Sequence, residues 1–213
     1  MDIHQLVQQK PLYSTIEIRW FFNSPIEELL NFVRELSPNK NEPESRTDIY
    51  FPIADRPDLG LKIRDKNYEV KQRQQWALPL SESQPLPGKL EAWNKWTLEK
   101  LPKTESELTG LPITKKRWLA NLDQAFNIAP TLPSPEINIQ IEYTQIKIAA
   151  VNYTTFALEI SGFPASEKLL EIARNIPIHP RMTAENCCSY PAFILNPDYV
   201  IEFLRPDMVR GEA

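Results

Sequence analysis

The sequence predicts an α+β protein built on an antiparallel β-barrel of about eight strands, with helices packed outside the barrel. In residues 15–22, one face carries Ile16, Ile18, Trp20 and Phe22 and the other carries Thr15, Glu17 and Arg19, which is typical of a strand with two different faces. Several later segments repeat this alternation, and short turns between them favour antiparallel neighbours. Segments with helical periodicity flank these strands and are expected to cover the sheet from outside.

Length and composition predict one domain that spans residues 1–213. The chain has 42% hydrophobic and 24% charged residues, which is ordinary for a globular protein with one core. Its net charge of −4 argues against binding to duplex nucleic acid. No apolar run reaches the roughly 20 residues of a membrane-spanning helix, and the first residues contain no apolar signal segment. We therefore expect a cytoplasmic protein without a membrane partner.

The first half of the chain is predicted to hold one helix and several strands. After the first strand, Ser24 is the predicted N-cap and Pro25 the first helical residue, with an apolar stripe that ends near Pro38. The polar residues 39–47 are predicted to form a loop. Strands are predicted at residues 48–52, 60–65 and 68–76, with a tight turn at 65–67.

The second half repeats the mixture of helices and strands. A helix is predicted at residues 89–101, because Leu90, Trp93, Trp96 and Leu101 are spaced as on one helical face. Strands rich in β-branched and aromatic residues are predicted at 115–122, 137–148 and 154–161. A further helix is predicted at 165–175, followed by a short apolar segment at 190–195. The adjacent Cys187 and Cys188 are expected to be reduced packing residues, with a vicinal redox pair as the alternative.

Charged side chains recur at every second position of the predicted strands, so they share one face of each strand. This pattern allows two arrangements: the solvated face of a one-sided sheet, or a closed barrel whose polar faces line a lumen. In the second arrangement the cations would require a counter-anion, since uncompensated buried charge costs several kcal/mol per ion. A phosphate chain supplies that charge and fits the fork of arginine. The candidate anion-binding residues are Arg19, Lys62, Arg64, Lys71, Arg73, Lys115 and Arg117.

Carboxylates on the same faces suggest a second role for the lumen. Oxygen ligands of this kind hold Mg²⁺ or Mn²⁺, and such a metal would polarise a phosphoryl oxygen and help to activate water. The candidate metal ligands are Glu17, Glu142 and Glu159.

Five segments resemble strands and motifs of the CYTH proteins, a family that includes triphosphate tunnel metalloenzymes, adenylate cyclases and thiamine triphosphatases. Residues 15–19 (Thr-Ile-Glu-Ile-Arg) stand where the family has Glu-x-Glu-x-Lys. Residues 61–64 and 69–73 resemble its Leu-Arg-Ile-Arg strand and the following lysine-bearing strand. Residues 155–161 resemble the late strand with a Glu-x-Glu metal pair, and residues 189–193 the C-terminal Ser-Tyr motif.

This resemblance implies a tunnel that binds a triphosphate or polyphosphate and hydrolyses it with Mg²⁺ or Mn²⁺. The chain departs from the signature at three positions: Thr15 and Ser161 replace glutamates, and Arg19 replaces the lysine. The basic positions agree with the family better than the acidic ones. We therefore expect a triphosphatase-like tunnel with an incomplete set of metal ligands, whose main property is anion binding.

Two alternatives follow from the same sequence. A lipocalin-like barrel with an apolar cavity predicts that the other strand faces point inward, namely Ile16, Ile18, Trp20, Ile139, Ile141 and Leu158. A non-catalytic scaffold that binds a protein partner predicts an exposed apolar patch around Trp93, Trp96 and Trp118.

Overall fold

The computed structural model describes residues 13–37, 42–79, 86–98, 110–123, 125, 127–128, 138–161 and 171–197. Within this part of the chain there are eight strands and two helices of six or more residues. The strands are β1 (Tyr13–Phe22), β2 (Glu44–Tyr50), β3 (Leu59–Arg64), β4 (Asn67–Pro79), β5 (Lys89–Leu98), β6 (Leu111–Leu122), β7 (Asn138–Ile148) and β8 (Val151–Ser161). The helices are α1 (Glu27–Leu36) and α2 (Tyr190–Leu195).

The eight strands form a closed barrel in the order β1-β5-β4-β3-β2-β6-β7-β8, and every neighbouring pair is antiparallel. The predicted fold class is therefore confirmed. Strand β1 closes the barrel because it pairs with β5 along one edge and with β8 along the other. This double pairing places Glu17 between Glu91 and Glu159 in the ladder.

Tight two-residue hairpins connect β3 to β4 and β7 to β8. Asp65 and Lys66 have φ of 49° and 69°, and they join β3 to β4 directly after the Arg64–Asn67 pair. Two consecutive residues with positive φ match the right-handed twist of the flanking strands. The turn predicted at residues 65–67 is thus confirmed.

The apolar faces of the strands point outward and are covered by α1. Ile16, Ile18 and Trp20 of β1 belong to one buried cluster with Leu29 and Val33 of α1. Ile139, Ile141 and Leu158 lie in the same cluster. The side chains that an apolar lipocalin-like cavity would require therefore form the layer between barrel and helix, and the polar faces point to the interior.

A second apolar cluster fills one end of the barrel interior. Phe21 lies on the opposite face of β1 from Trp20 and stacks on Phe193 of α2, with ring centroids 3.9 Å apart. The backbone N–H of Phe21 donates to the carbonyl of Asn186, and the N–H of Cys188 donates to the carbonyl of Arg19. The segment that precedes α2 therefore runs alongside β1. The whole cluster comprises Phe21, Tyr50, Ile113, Ile146, Tyr153, Tyr190 and Phe193. We conclude that α2 closes this end of the lumen.

The prediction of a helix at residues 89–101 is wrong, because residues 89–98 form strand β5. Both faces of this strand are buried, so apolar side chains occur at odd and even positions and imitate helical spacing. Trp93 lies on the lumen face, whereas Trp96 lies on the outer face in a small cluster with Val70. The side chains of Trp93, Trp96 and Trp118 are all at least 95% buried, so they do not form the exposed patch that a protein-binding scaffold would need.

Two boundaries in the first half also differ from the prediction. Residues 44–47, expected in a loop, are the start of β2, whose polar residues project to both faces of the sheet. The N-cap of α1 is Ile26, and Ser24 instead accepts a hydrogen bond from the Arg181 guanidinium.

The C-terminal predictions are met in part. The short apolar segment 190–195 is helix α2. Residues 171–174 of the predicted helix 165–175 are helical, and residues 165–170 lie outside the described residues, as does Leu101. None of the described helices has the length and apolar content that crossing a bilayer requires.

The outer cluster gives a direct test of the packing between α1 and the barrel. Leu29 is completely buried there, so Leu29→Ala should lower the free energy of unfolding by about 2–5 kcal/mol, as large-to-small changes in cores do. Urea denaturation followed by fluorescence measures this change. The exposed Glu28 on the same helix supplies the control, and a Leu29→Ala loss no larger than that of Glu28→Ala would contradict the packing.

Candidate anion site in the barrel lumen

The lumen faces of the strands surround a cavity of about 270 Å³. Glu17 and Arg19 of β1 line it, because they alternate with the outward Ile16 and Ile18. The polar faces therefore line the interior of the barrel, as in the second of the two arrangements that the sequence allowed. Among the residues named as candidates from sequence, those that line the cavity are Glu17, Arg19, Lys62, Arg64, Lys71, Lys115, Arg117, Glu142 and Glu159.

Arg73 is the one candidate that lies outside the cavity lining. Its guanidinium pairs with Glu91 at 2.5 Å, and it lies 6.0 Å from the ring centroid of Trp93. Arg73 shares the lumen face of β4 with Lys71 but lies further along the strand, where Trp93 occupies the interior. The alternation of side chains along β4 predicts the correct face for Arg73. Its position along the barrel axis places it beyond the cavity.

Two cavity cations were not among the candidates from sequence. Arg46 lies opposite Lys115 in the β2–β6 ladder, and Lys95 lies opposite Lys71 in the β4–β5 ladder. Both line the cavity. They were missed because residues 39–47 and 89–101 were predicted as loop and helix, so that the alternation of their charges was not considered.

Arg19 is the centre of one buried charge cluster. Its Nε donates to Glu17 at 2.7 Å, and its Nη1 donates to Glu142 at 2.7 Å. Glu17 also pairs with Lys71 at 3.3 Å. Burial alone would raise the pKa of Glu17, but the charges of Lys71 and Arg19 hold that pKa well below its ordinary value. Glu17 is therefore ionised at neutral pH.

Asp48 is the centre of a second cluster and is completely buried. Its carboxylate lies 3.0 Å from Lys115 Nζ, 3.2 Å from Arg46 Nε, 3.4 Å from Lys62 Nζ and 3.5 Å from Arg64 Nε. Burial works to raise the pKa of Asp48, and the neighbouring cations, Lys115 first, hold it far below the usual range. One carboxylate thus contacts four cations on three adjacent strands.

Burial disfavours the charged form of three lysines in the lumen and lowers their pKa values. Burial, with the nearby Arg64 charge, lowers the pKa of Lys62 to about 8. Burial likewise lowers the pKa of Lys115 well below its ordinary value and also lowers that of Lys71. Additional negative charge in the cavity would stabilise the protonated form of all three.

Charges in the lumen are mostly, but not fully, balanced. Eight cationic side chains of the described residues line the cavity. Four lining carboxylates, the buried Asp48 and Glu44, which pairs with Arg46 and Arg117 at 2.6 Å, oppose them, which leaves an excess of two positive charges. The expectation that these cations would require an external counter-anion is therefore corrected, because carboxylates of the barrel pair with them. The cations are Arg19, Arg46, Lys62, Arg64, Lys71, Lys95, Lys115 and Arg117, and the lining carboxylates are Glu17, Glu69, Glu142 and Glu159.

The predicted metal ligands do not form a ligand set in the described part of the chain. No three carboxylate, histidine or cysteine side chains there are grouped so that they could hold a metal ion. Glu159 pairs with Lys95 at 2.5 Å, while Glu17 and Glu142 share Arg19. A hard cation requires several free oxygen ligands, so the geometry does not fit Mg²⁺ or Mn²⁺. Metal binding stays a prediction from the resemblance.

Both departures from the acidic signature lie at one position of the barrel wall. Thr15 and Ser161 are partners in the β1–β8 ladder, next to the pair formed by Glu17 and Glu159. Where the resemblance implies two cross-strand pairs of carboxylates, one pair is therefore uncharged. The remaining pair faces Lys71 and Lys95.

The two cysteines lie where the chain follows β1 and are not paired with each other. Burial raises the pKa of Cys187 to about 11 and raises that of Cys188 as well. Their thiols are therefore protonated at neutral pH and poor nucleophiles.

No known family and no curated protein matches the sequence. Among solved structures, the chain is similar to a putative adenylate cyclase from Bacillus halodurans, at 12% identity and a TM-score of 0.39, covering 80% of this chain and 97% of that one. It is also similar to a conserved hypothetical protein from Pyrococcus furiosus, at 16% identity and a TM-score of 0.38, covering 78% and 93%. Likenesses this weak assign neither a family nor a function.

The Asp48 cluster predicts a large stability effect. Asp48→Asn removes the carboxylate that contacts four buried cations and should lower the free energy of unfolding by about 3–5 kcal/mol. Glu69→Gln is the matched control, since Glu69 pairs with Lys62 and Arg64 but is partly exposed. This variant should lower the free energy of unfolding by less than Asp48→Asn does. Urea denaturation at pH 7 measures both. Equal losses in the two variants would show that Asp48 is not the principal counter-ion.

Proposed function

We propose that the barrel binds a triphosphate- or polyphosphate-type anion in its lumen. The observation that carries the proposal is the excess of two positive charges around a cavity of about 270 Å³ in the barrel interior. Charges that are shielded from water interact more strongly than charges at a surface. An anion that enters this space therefore gains more from the unbalanced cations than it would outside the protein.

The types of cation support a phosphate-containing ligand. Arg46, Arg64 and Arg117 each present a planar fork of donors, and arginine binds phosphate oxygens in pairs. Lysines among them add point charges that adapt to the position of an oxygen. The cavity of about 270 Å³ is slightly below the roughly 300–1,000 Å³ of typical small-molecule pockets, which favours a compact anion over a bulky organic ligand.

The unbalanced charge is concentrated on one side of the lumen. Five of the eight cations come from the adjacent strands β3, β2 and β6. Asp48, Glu44 and Glu69 oppose these five cations, whereas Glu17, Glu142 and Glu159 match the three cations of β1, β4 and β5 in number. We place the phosphate groups against this wall, which consists of Arg46, Lys62, Arg64, Lys115 and Arg117.

The proposal is limited to binding. The CYTH resemblance implies hydrolysis with a divalent metal, but each carboxylate that would hold the metal is already paired with a cation. Ordinary anion binding needs none of these carboxylates to be free. Phosphate release in the presence of Mn²⁺ would extend the function to hydrolysis.

Thermal unfolding with and without tripolyphosphate tests the binding proposal. At one hundred times its dissociation constant, a ligand that binds only the folded state adds about 2.7 kcal/mol of stability, so the melting temperature should rise clearly. Arg64→Gln should reduce the rise. Arg56→Gln should leave it unchanged, because Arg56 pairs with Asp58 at the surface outside the lumen.

Phosphate release from tripolyphosphate is assayed separately, in samples that contain Mn²⁺. The binding proposal fails if phosphate, pyrophosphate and tripolyphosphate all leave the melting temperature unchanged.

The lowered pKa of Lys62 predicts that anion affinity depends on pH. With a pKa of about 8, Lys62 is mostly charged at pH 7 and mostly neutral at pH 9 in the unliganded protein. Its charge, and hence the anion affinity, is lost as the pH rises through this value. The protonated fraction falls about tenfold between pH 7 and pH 9, so the contribution of Lys62 to affinity should fall by a similar factor.

Calorimetric titrations of wild type and Lys62→Arg with tripolyphosphate measure this effect. Arginine keeps its charge over the whole range, so the ratio of the two affinities removes the titration of the ligand itself. The wild-type affinity should fall relative to that of the variant. Parallel pH profiles would rule out the role of Lys62.

A further inference from the structure

Tyr190, the first residue of α2, has a hydroxyl group without a partner at the closed end of the lumen. Its side chain is 95% buried and lines the cavity. Within the described residues, its hydroxyl oxygen makes no hydrogen bond. Buried hydroxyl groups are nearly always hydrogen-bonded, because an unmet group loses its water without compensation. A buried, unpaired donor that faces a cavity is therefore a binding group for whatever fills the cavity.

Packing fixes the position of this hydroxyl without any hydrogen bond. The Tyr190 ring stacks on Tyr50, with centroids 5.6 Å apart and an interplanar angle of 24°. It meets Phe21 edge-on at 5.3 Å. The donor is consequently held in place before a ligand arrives, so little conformational freedom is lost on binding.

The surroundings of Tyr190 are suited to an anion. The Arg19 guanidinium carbon lies 4.7 Å from the ring centroid, and Lys115 Nζ lies 4.1 Å from it. An anion oxygen at the hydroxyl would therefore have cations nearby. Burial raises the pKa of Tyr190 above its ordinary value, so the phenol keeps its proton and acts as a donor at neutral pH.

The position of Tyr190 in the barrel indicates which part of the ligand it meets. Tyr190 belongs to the cluster that closes one end of the lumen, whereas Tyr13, at the opposite end of the β1 lumen face, is 44% exposed. A phosphate chain that enters from the open side reaches the closed end with its terminus first.

We infer that the Tyr190 hydroxyl donates a hydrogen bond to the terminal phosphoryl group of the anion and that α2 is part of the binding site. This inference rests on the proposed function and names the end of the ligand that is recognised. The ligand class is then an anion with an unsubstituted terminal phosphoryl group, which phosphate, pyrophosphate and tripolyphosphate share.

The variant Tyr190→Phe tests the inference because it removes one oxygen and keeps the ring. Affinities for phosphate, pyrophosphate and tripolyphosphate, measured by calorimetry, should each fall by about tenfold or more, as expected for a lost hydrogen bond to a charged group. The factor should be similar for all three, since each has a terminal group. Without ligand, the variant should be at least as stable as wild type, because the removed hydroxyl had no partner.

Tyr143→Phe is the matched control. The Tyr143 hydroxyl accepts a hydrogen bond from the backbone N–H of Ile26 at 3.1 Å, in the outer cluster beneath α1. Its removal should lower stability and leave the three affinities unchanged. Tyr190→Phe should therefore change the affinities and not the stability, and Tyr143→Phe should change the stability and not the affinities.

Three results would overturn the inference, and they differ from failure of the proposed function. Wild-type affinity in Tyr190→Phe would show that the hydroxyl does not contact the anion. A loss confined to tripolyphosphate would exclude the terminal group as its partner. A loss of stability without ligand would show that the hydroxyl already has an internal partner. If wild type binds none of the three anions, the proposed function itself fails and the inference fails with it.

Discussion

The structure depends on keeping many charged side chains inside a closed barrel. Buried cations are tolerated only with carboxylates close by, and here strand alternation brings both to the lumen. Arg19 lies between Glu17 and Glu142, and four cations surround Asp48. The same alternation turns the apolar side chains outward, so the barrel is stable only with an outer layer that covers them, which α1 supplies. The polar interior and the external helix are thus two consequences of one pattern.

The balance inside the barrel is incomplete in a way that links stability to binding. If the carboxylates matched the cations in number, an entering anion would have to compete with an existing carboxylate for each cation. With two more cations than carboxylates, the lumen keeps a net positive charge that attracts an anion, although each cation already has a carboxylate partner. The lowered pKa of Lys62 and Lys115 expresses the same imbalance, because these groups have too little negative charge nearby to offset their burial. The carboxylates of the barrel and the proposed anion would therefore together neutralise the cations of the lumen.

Sequence alone predicted the features that follow from local alternation. The residues of β1, β6, β7 and β8 have one polar and one apolar face, and their strands and charged faces were predicted correctly. In β5 both faces are buried and the alternation disappears, so the sequence pattern predicts a helix and does not indicate that Lys95 faces the lumen. The closure of the barrel depends on pairing β1 with β5 and β8, which are distant in sequence. No local pattern encodes that pairing, nor the way in which α2 brings Tyr190 to the lumen.

The pairing of β1 with β8 also bears on how the lumen is used. The resemblance implies two cross-strand pairs of glutamates, enough oxygens to attract a divalent ion. Here one pair is Thr15 with Ser161, so two negative charges are missing from a single place on the wall. Restoring them would remove the excess of two positive charges. Compared with the signature that the chain resembles, Thr15 and Ser161 therefore offer fewer metal ligands and leave the lumen more positive, which agrees with the proposed anion binding.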